Sequence, residues 1–256
     1  MGKLLEPSQN IERSVMKKYR KELWNPFIKA VKNYELVQEN DKIAVCISGG
    51  KDSMLMAKLM QLLQRYGDVP FELTFLVMDP GYNEKNRKKI EENAKILNVP
   101  ITVFETNIFD VANSVDKSPC YLCARMRRGY LYSRAKELGC NKIAYAHHRD
   151  DLIETALMSL IYEGRFHAFS PYTHLDRTGL TVIRPMLYVS EADVKGFRNR
   201  YQLPVCKNPC PMDGHTRREY VKNLIRTLDR ENPGVKDRLF SAVMNGHLEG
   251  WPDICP

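Results

Sequence analysis

The sequence predicts an α/β fold: a doubly wound, mostly parallel sheet of five strands with helical extensions at its N- and C-terminal ends. Three observations predict it. Apolar runs of strand length alternate with segments of helical period. The first such run, Ile43 to Ile47, enters Ser48-Gly49-Gly50-Lys51-Asp52-Ser53, and a helical pattern starts at once behind it. Polar clusters then fall just after further strand-like runs, where the ligand crevice of a parallel sheet lies.

The elements follow in order. From Ile11 to Tyr34 the pattern is helical and basic, with Val15, Tyr19, Leu23, Phe27 and Val31 at steps of four, and Pro26 is expected to kink or divide it. Lys17, Lys18 and Lys21 lie on its polar side. After the first strand, a helix is expected to run to about Tyr66 and stop at Gly67-Asp68. Phe71 to Met78 reads as strand two, with Asp79-Pro80-Gly81-Tyr82 as the loop at its carboxyl end. A charged helix from Asn83 to Leu97 precedes strand three, Pro100 to Phe104. Lys142 to Ala146 is strand four, followed by His147-His148-Arg149-Asp150-Asp151 and a helix that an aspartate is expected to cap. Tyr162 to Pro171 mixes aromatic and basic groups in a loop. Thr181 to Met186 is strand five, and Ser190 caps the helix behind it, with Glu191 and Asp193 in its first turn. Arg217, Arg218, Lys222, Arg226 and Arg230 make the last basic helix. Three parts are expected: 1–35 as a basic helical segment, 36–200 as the α/β body, and 201–256 as a helical segment.

Composition narrows the class. A chain of 256 residues accommodates one large α/β unit, and a formal charge of +8 suits a polyanionic partner. No apolar run reaches the length of a membrane span and the opening residues lack a signal peptide's apolar core, so a soluble, cytoplasmic protein without a membrane partner is expected. Seven cysteines in such a protein are not a disulfide scaffold, and their grouping matters more than their number.

Three groups of residues carry chemistry. The Ser-Gly-Gly turn gathers backbone N–H groups and a helix N-terminus, a geometry suited to diphosphate. Lys51 adds charge, Ser53 a hydroxyl, and Asp52 a ligand for magnesium. It is not the G-x-x-x-x-G-K-[ST] loop, because an aspartate follows the lysine. Cys120-x-x-Cys123, behind Pro119 and beside Arg125, Arg127 and Arg128, lets two thiolates reach one metal or cluster, or form a redox dithiol. Cys206 and Cys210 supply a third and fourth thiol in a proline-rich turn. Cys46 and Cys140 read as core residues, and Cys255 as a tail residue. Arg184, at the end of strand five, serves either a phosphate or a salt bridge at the sheet edge.

With these marks in this order, the chain resembles the PP-loop, or N-type ATP pyrophosphatase, superfamily, whose fold is adenine nucleotide alpha hydrolase-like (HUP). More narrowly it resembles the iron–sulfur tRNA 2-thiocytidine synthetases, over residues 25–235. The resemblance implies ATP and Mg2+ on Ser48, Gly49, Gly50, Lys51, Asp52 and Ser53, with Asp79, His147, Asp151 and Arg184 nearby, and Asp52 as a magnesium ligand. It implies catalytic roles for Lys51, Asp52, Asp150 and Cys210. It also implies a [4Fe–4S] cluster on Cys120, Cys123 and Cys206, with Cys210 as the alternative third ligand because the spacing here departs from the family's Cys-x-x-Cys. The expected reaction adenylates the C2 oxygen of a pyrimidine, cytidine in the anticodon loop, and replaces it with sulfur. The implied partners are tRNA, a donor such as sulfide or a cysteine-desulfurase persulfide, and a second copy in a homodimer. Arg125, Arg128, Arg165, Arg217 and Arg218 join the N-terminal lysines as candidate backbone contacts. The alternatives are adenylation-dependent sulfur chemistry on another nucleobase or a small metabolite, an amidotransferase-like ATP pyrophosphatase, and a zinc-bound RNA adaptor.

Overall fold

The computed structural model describes residues 6–81, 83–108, 119–205, 216–246 and 251, leaving aside the side chains of residues 119–121. Its sheet has six strands in the order β3-β2-β1-β4-β6-β5. β1 (Lys42–Ile47) lies between β2 (Glu72–Asp79) and β4 (Lys142–Ala144), parallel to both. β3 (Ile101–Glu105) and β6 (Leu180–Ile183) extend the parallel arrangement on either side.

The sixth strand, β5 (Tyr172–Leu175), corrects the expected count of five: it pairs antiparallel with β6 and forms one edge. Three of its four residues are exposed, so no apolar alternation announces it in the sequence. A four-residue turn returns the chain to β6, with Gly179 at φ +67° and its N–H on Leu175 O at 2.8 Å.

Both faces of the parallel strands are covered, as their near-continuous apolar character requires. Alternation sorts their side chains into two cores. Ile43, Val45, Ile47, Phe75, Val77, Ala144 and Ile183 join α3 (Lys51–Tyr66), α4 (Glu84–Leu97), α6 (Arg149–Glu163) and α7 (Glu191–Arg200) on one face. Ala44, Cys46, Leu76, Met78, Ile143 and Val182 meet Leu131 and Ala135 of α5 (Pro119–Glu137) on the other. α3 ends where expected: a Cβ on Gly67 would stand 2.5 Å from Leu63 O, so that close turn requires glycine. Cys46 and Cys140 are buried free thiols, and burial raises both pKa values.

The N-terminal segment is divided, as Pro26 suggested, into α1 (Pro7–Met16), a π-helical turn (Arg20–Trp24) and α2 (Asn25–Asn33). Four-residue spacing drifts by about 40° per step on a 3.6-residue helix, so a straight helix would turn the stripe away from the body. Wide i→i−5 bonds, Tyr19 N–H to Ser14 O at 2.8 Å and Trp24 N–H to Tyr19 O at 3.4 Å, take up the drift. Val15, Leu23, Phe27 and Val31 all remain buried in the first core.

The same segment is anchored by Lys58 of α3. This side chain is fully buried and donates to Glu12 Oε1 at 2.6 Å, Gln61 Oε1 at 2.8 Å and Leu97 O at 2.8 Å. Burial lowers its pKa, and the Glu12 carboxylate opposes the shift. α8 (Arg217–Glu231) and α9 (Val235–Asn245) pack on α6 through Val221, Ile225 and Ile153. Among the described residues, no helix is long and apolar enough to cross a membrane.

Lys58→Ala leaves the Glu12 carboxylate without its buried partner and opens a cavity. It is expected to cost about 3–5 kcal/mol in urea unfolding followed by circular dichroism.

Candidate nucleotide and sulfur-transfer site

β1 and β4 are adjacent, but their crossovers lead to opposite sides, through α3 to β2 and through α6 toward β6. A crevice therefore opens between their carboxyl ends. Ser48 to Ser53 form one wall. Gly49 sits at φ +80°, a conformation that strains other residues. Ser53 Oγ donates to Gly50 O at 3.1 Å and accepts the Ser48 N–H at 3.1 Å, stitching the loop closed. Gly50 is the N-cap of α3 and supplies no side-chain cap, so the helix N-terminus is left open to an anion.

A cavity of about 290 Å³ lies in this crevice. Ser48, Asp52 and Ser53 line it from the loop, Tyr145 and His147 from the end of β4, and Arg127 and Arg128 from α5. A larger groove of about 580 Å³ lies at the opposite end of β2, beside Trp24 and Tyr66, and contains none of the expected site residues.

The histidines divide their work. His148 caps α6: its Nδ1 accepts the Asp151 N–H at 3.2 Å, while Asp151 Oδ2 accepts the His148 N–H at 2.9 Å. The expected aspartate cap is thus corrected to a histidine cap, with Asp151 completing a reciprocal box. With Nδ1 accepting, the ring proton sits on Nε2, which faces Asp52 Oδ1 at 3.5 Å. That buried oxygen has no hydrogen-bond partner among the described residues, whereas Asp52 Oδ2 receives Lys51 Nζ at 2.8 Å. An acceptor left open beside a phosphate loop fits a magnesium ion. His147 packs at a tilt against Tyr145 and Phe169, with ring centroids 5.9 and 5.0 Å away. Burial lowers its pKa to about 4, so the imidazole lining the cavity is neutral near pH 7.

The other expected residues separate. Asp79 is buried at the end of β2, where Oδ1 accepts the Gly81 N–H at 2.9 Å and shapes the turn. Arg184 donates to Ser170 O at 2.6 Å and Thr173 Oγ1 at 3.2 Å, bracing the segment before β5; burial lowers its pKa to about 10. Asp150 does not line the cavity: it accepts the Glu191 N–H at 2.7 Å and Lys236 Nζ at 3.1 Å. Burial pushes its pKa up, but these donors hold it below the usual range. Lys51 also meets Glu191, Nζ to Oε1 at 3.2 Å. Burial alone would lower the Lys51 pKa, but Asp52 and Glu191 raise it instead.

Glu191 and Lys222 are the neighbours that sequence reasoning missed. The Ser190–Glu191 helix start explained the glutamate by the helix dipole alone, and Lys222 read as one more charge on a basic face. Arg218, expected as an RNA contact, lies 3.4 Å from Glu154 and 3.7 Å from Asp151. Arg217 stacks over the Tyr162 ring at 4.8 Å.

Cys123 is a half-buried free thiol on α5, packed against the second core near Met126 and Tyr132. Cys120 stands three positions earlier on the same helix, one turn away, a spacing from which two ligands reach one cluster. The Cys120 side chain, Tyr82, Cys206, Cys210 and Cys255 lie outside the described residues. Among those described, no three His, Cys, Asp or Glu side chains gather around a metal position. The donors present, a Cys-x-x-Cys helix whose next turn carries two arginines into the cavity, fit an anionic thiolate cluster.

Comparison with known proteins agrees with this arrangement. The family described as PP-loop domain matches residues 12–228. The tRNA-cytidine(32) 2-sulfurtransferase of Citrifermentans bemidjiense is 37% identical over 224 residues, covering 86% of this chain and 88% of that protein. Its namesake from Geobacter metallireducens is 36% identical over 234 residues, covering 90% and 91%. Among solved structures, the U34-tRNA thiolase NcsA from Methanococcus maripaludis with its [4Fe-4S] cluster superimposes with a TM-score of 0.67. It is 23% identical and covers 91% of this chain and 81% of that one, a likeness of fold. With the domain matched over most of the chain and its phosphate loop closed by Ser48, Gly50 and Ser53, the protein belongs to the PP-loop family.

Proposed function

We propose that the protein is an ATP-dependent tRNA sulfurtransferase that converts cytidine 32 to its 2-thio form. One observation carries the reading: the phosphate loop and the arginines of the Cys-x-x-Cys helix line one cavity. Nucleotide activation and sulfur chemistry then occur in the same crevice. The relatives named tRNA-cytidine(32) 2-sulfurtransferase, 33–37% identical over most of the chain, support the substrate and base.

The chemistry follows from the leaving group. A ring carbonyl oxygen leaves poorly, whereas AMP leaves well. In the first step the C2 oxygen attacks the α-phosphorus of ATP; the new O–P bond forms as the bond to diphosphate breaks. In the second, sulfur bonds to C2 and the C2–O bond breaks, releasing AMP. The α3 N-terminus and Lys51 bind the departing diphosphate, and Asp52, whose Oδ1 is left open, would hold a Mg2+ ion that neutralises phosphate charge. Arg127 and Arg128 supply positive charge on the facing wall, where the activated base enters. Neutral His147, packed at a tilt against Phe169, offers an aromatic surface in the same cavity. A [4Fe–4S] cluster held by Cys120, Cys123 and Cys206 would keep one iron without a protein ligand, a Lewis-acid position for a sulfur donor. Cys210 then remains outside the cluster. The cytidine lies in an unpaired loop of the tRNA, so extruding it costs little pairing energy.

Protein purified without oxygen and supplied with ATP, sulfide and bulk tRNA is expected to produce 2-thiocytidine, detected by mass spectrometry of the digested nucleosides. No thionucleoside from protein with full iron content would overturn the reading.

Lys51→Ala is expected to slow AMP release by roughly 100-fold or more while leaving iron content unchanged. Loss of iron in that variant would contradict the division between loop and cluster. Cys206→Ala should lose most of its iron and Cys210→Ala should keep it; the reverse result exchanges their roles.

A further inference from the structure

Glu191 carries more positive partners than a structural ion pair needs. Its Oε1 receives Lys51 Nζ at 3.2 Å and Lys222 Nζ at 3.0 Å, and its Oε2 receives Lys195 Nζ at 2.8 Å. Two ammonium groups, one from the phosphate loop and one from α8, therefore stand on a single carboxylate oxygen. We propose that Lys222 is a second diphosphate-binding lysine, and that Glu191 is the positioning residue holding it beside Lys51. The proposal rests on reading the Ser48–Ser53 loop as the ATP site.

Three features support it. The first is that Glu191 is more deeply buried than the lysines it pairs with. Its backbone N–H is held by Asp150 at 2.7 Å, and its side chain is 8% exposed. Lys51 and Lys222 are 21% and 22% exposed, more than the carboxylate they share. The second concerns the side chain: lysine is a compact charge on a flexible stem, and it can swing from carboxylate to phosphate without moving α8. The third is electrostatic. Burial would raise the Glu191 pKa, but Lys195, Lys51 and Lys222 together hold it far below the usual range, so it remains a charged anchor at any working pH.

Lys222 has one other near carboxylate, Glu154 at 4.0 Å, which is itself 3.4 Å from Arg218. Burial raises the Glu154 pKa, and Asp151 reinforces the shift against Lys222 and Arg218. Glu191 is therefore the principal partner of Lys222. When a polyphosphate enters, the two lysines can share it as they share the oxygen. When diphosphate leaves, Glu191 receives them back.

The test is equilibrium binding of diphosphate with Mg2+, and separately of AMP, by calorimetry on the full chain. Lys222→Ala is expected to weaken diphosphate binding roughly ten-fold and leave AMP binding unchanged, with Lys222→Arg recovering most of the loss. Glu191→Gln should weaken diphosphate binding by a smaller factor. Lys222→Gln keeps the length of the stem without its charge and replaces the alanine variant if that does not fold. A Lys222→Ala or Lys222→Gln protein that melts at a lower temperature but binds diphosphate as wild type would reduce Lys222 to a structural tie and overturn the proposal. Lys51→Ala is the control. If it weakens diphosphate binding while the Lys222 variants do not, this inference alone fails; if neither position matters, the phosphate-loop reading fails with it.

Discussion

A parallel sheet covered on both faces leaves only its strand ends free for chemistry, and this constraint shapes the rest of the protein. β1 presents alternate side chains to two cores and cannot bind a ligand along its length. At the carboxyl ends of β1 and β4 the crossovers diverge, and backbone groups that no ladder uses become available. The phosphate loop, the His148 cap and the arginines of α5 all meet there.

The crevice is then fixed in charge by hydrogen bonds that are not themselves chemical. The reciprocal cap between His148 and Asp151 decides which imidazole nitrogen carries a proton, and so decides that an N–H faces Asp52. Asp150, one residue before Asp151, is buried on another side of the same helix turn, where it holds the start of α7 and the Lys236 ammonium. Adjacent aspartates thus have separate duties because a helix turns by about 100° per residue. Their spacing cannot reveal this, since the donors that claim Asp150 come from α7 and α9.

What was legible in the sequence was what is local. The β1 run, the glycine turn and the α3 pattern lie within 25 residues and read correctly, as did the burial of Cys46 and Cys140. The four-step stripe before Tyr34 was seen, but not the π-helical turn that keeps it facing inward. β5 escaped because an exposed edge strand has no apolar face to advertise, and among the described residues its only strand partner is the following one. Glu191 escaped for a different reason. A carboxylate in the first turn of a helix is explained by the dipole alone, and only the fold brings Lys51 and Lys222 to it.

The inward stripe of the N-terminal segment also bears on the order in which the chain assembles. Tyr19 meets Phe197 edge-on at 5.5 Å, and Leu23 and Phe27 enter the same core as Val194 of α7. During synthesis the first helices emerge long before α7 does, and at about 5–20 residues per second the interval is roughly ten seconds or more. Through that time the amphipathic basic segment can dock on α3, where Lys58 meets Glu12, but lacks the part of its core that α7 supplies. The phosphate loop still lacks Glu191 of α7, the carboxylate that Lys51 meets in the folded protein. Closure of the core and completion of the site therefore await the same late element. A nascent chain that has made its phosphate loop still lacks the charge arrangement that the finished protein places around it.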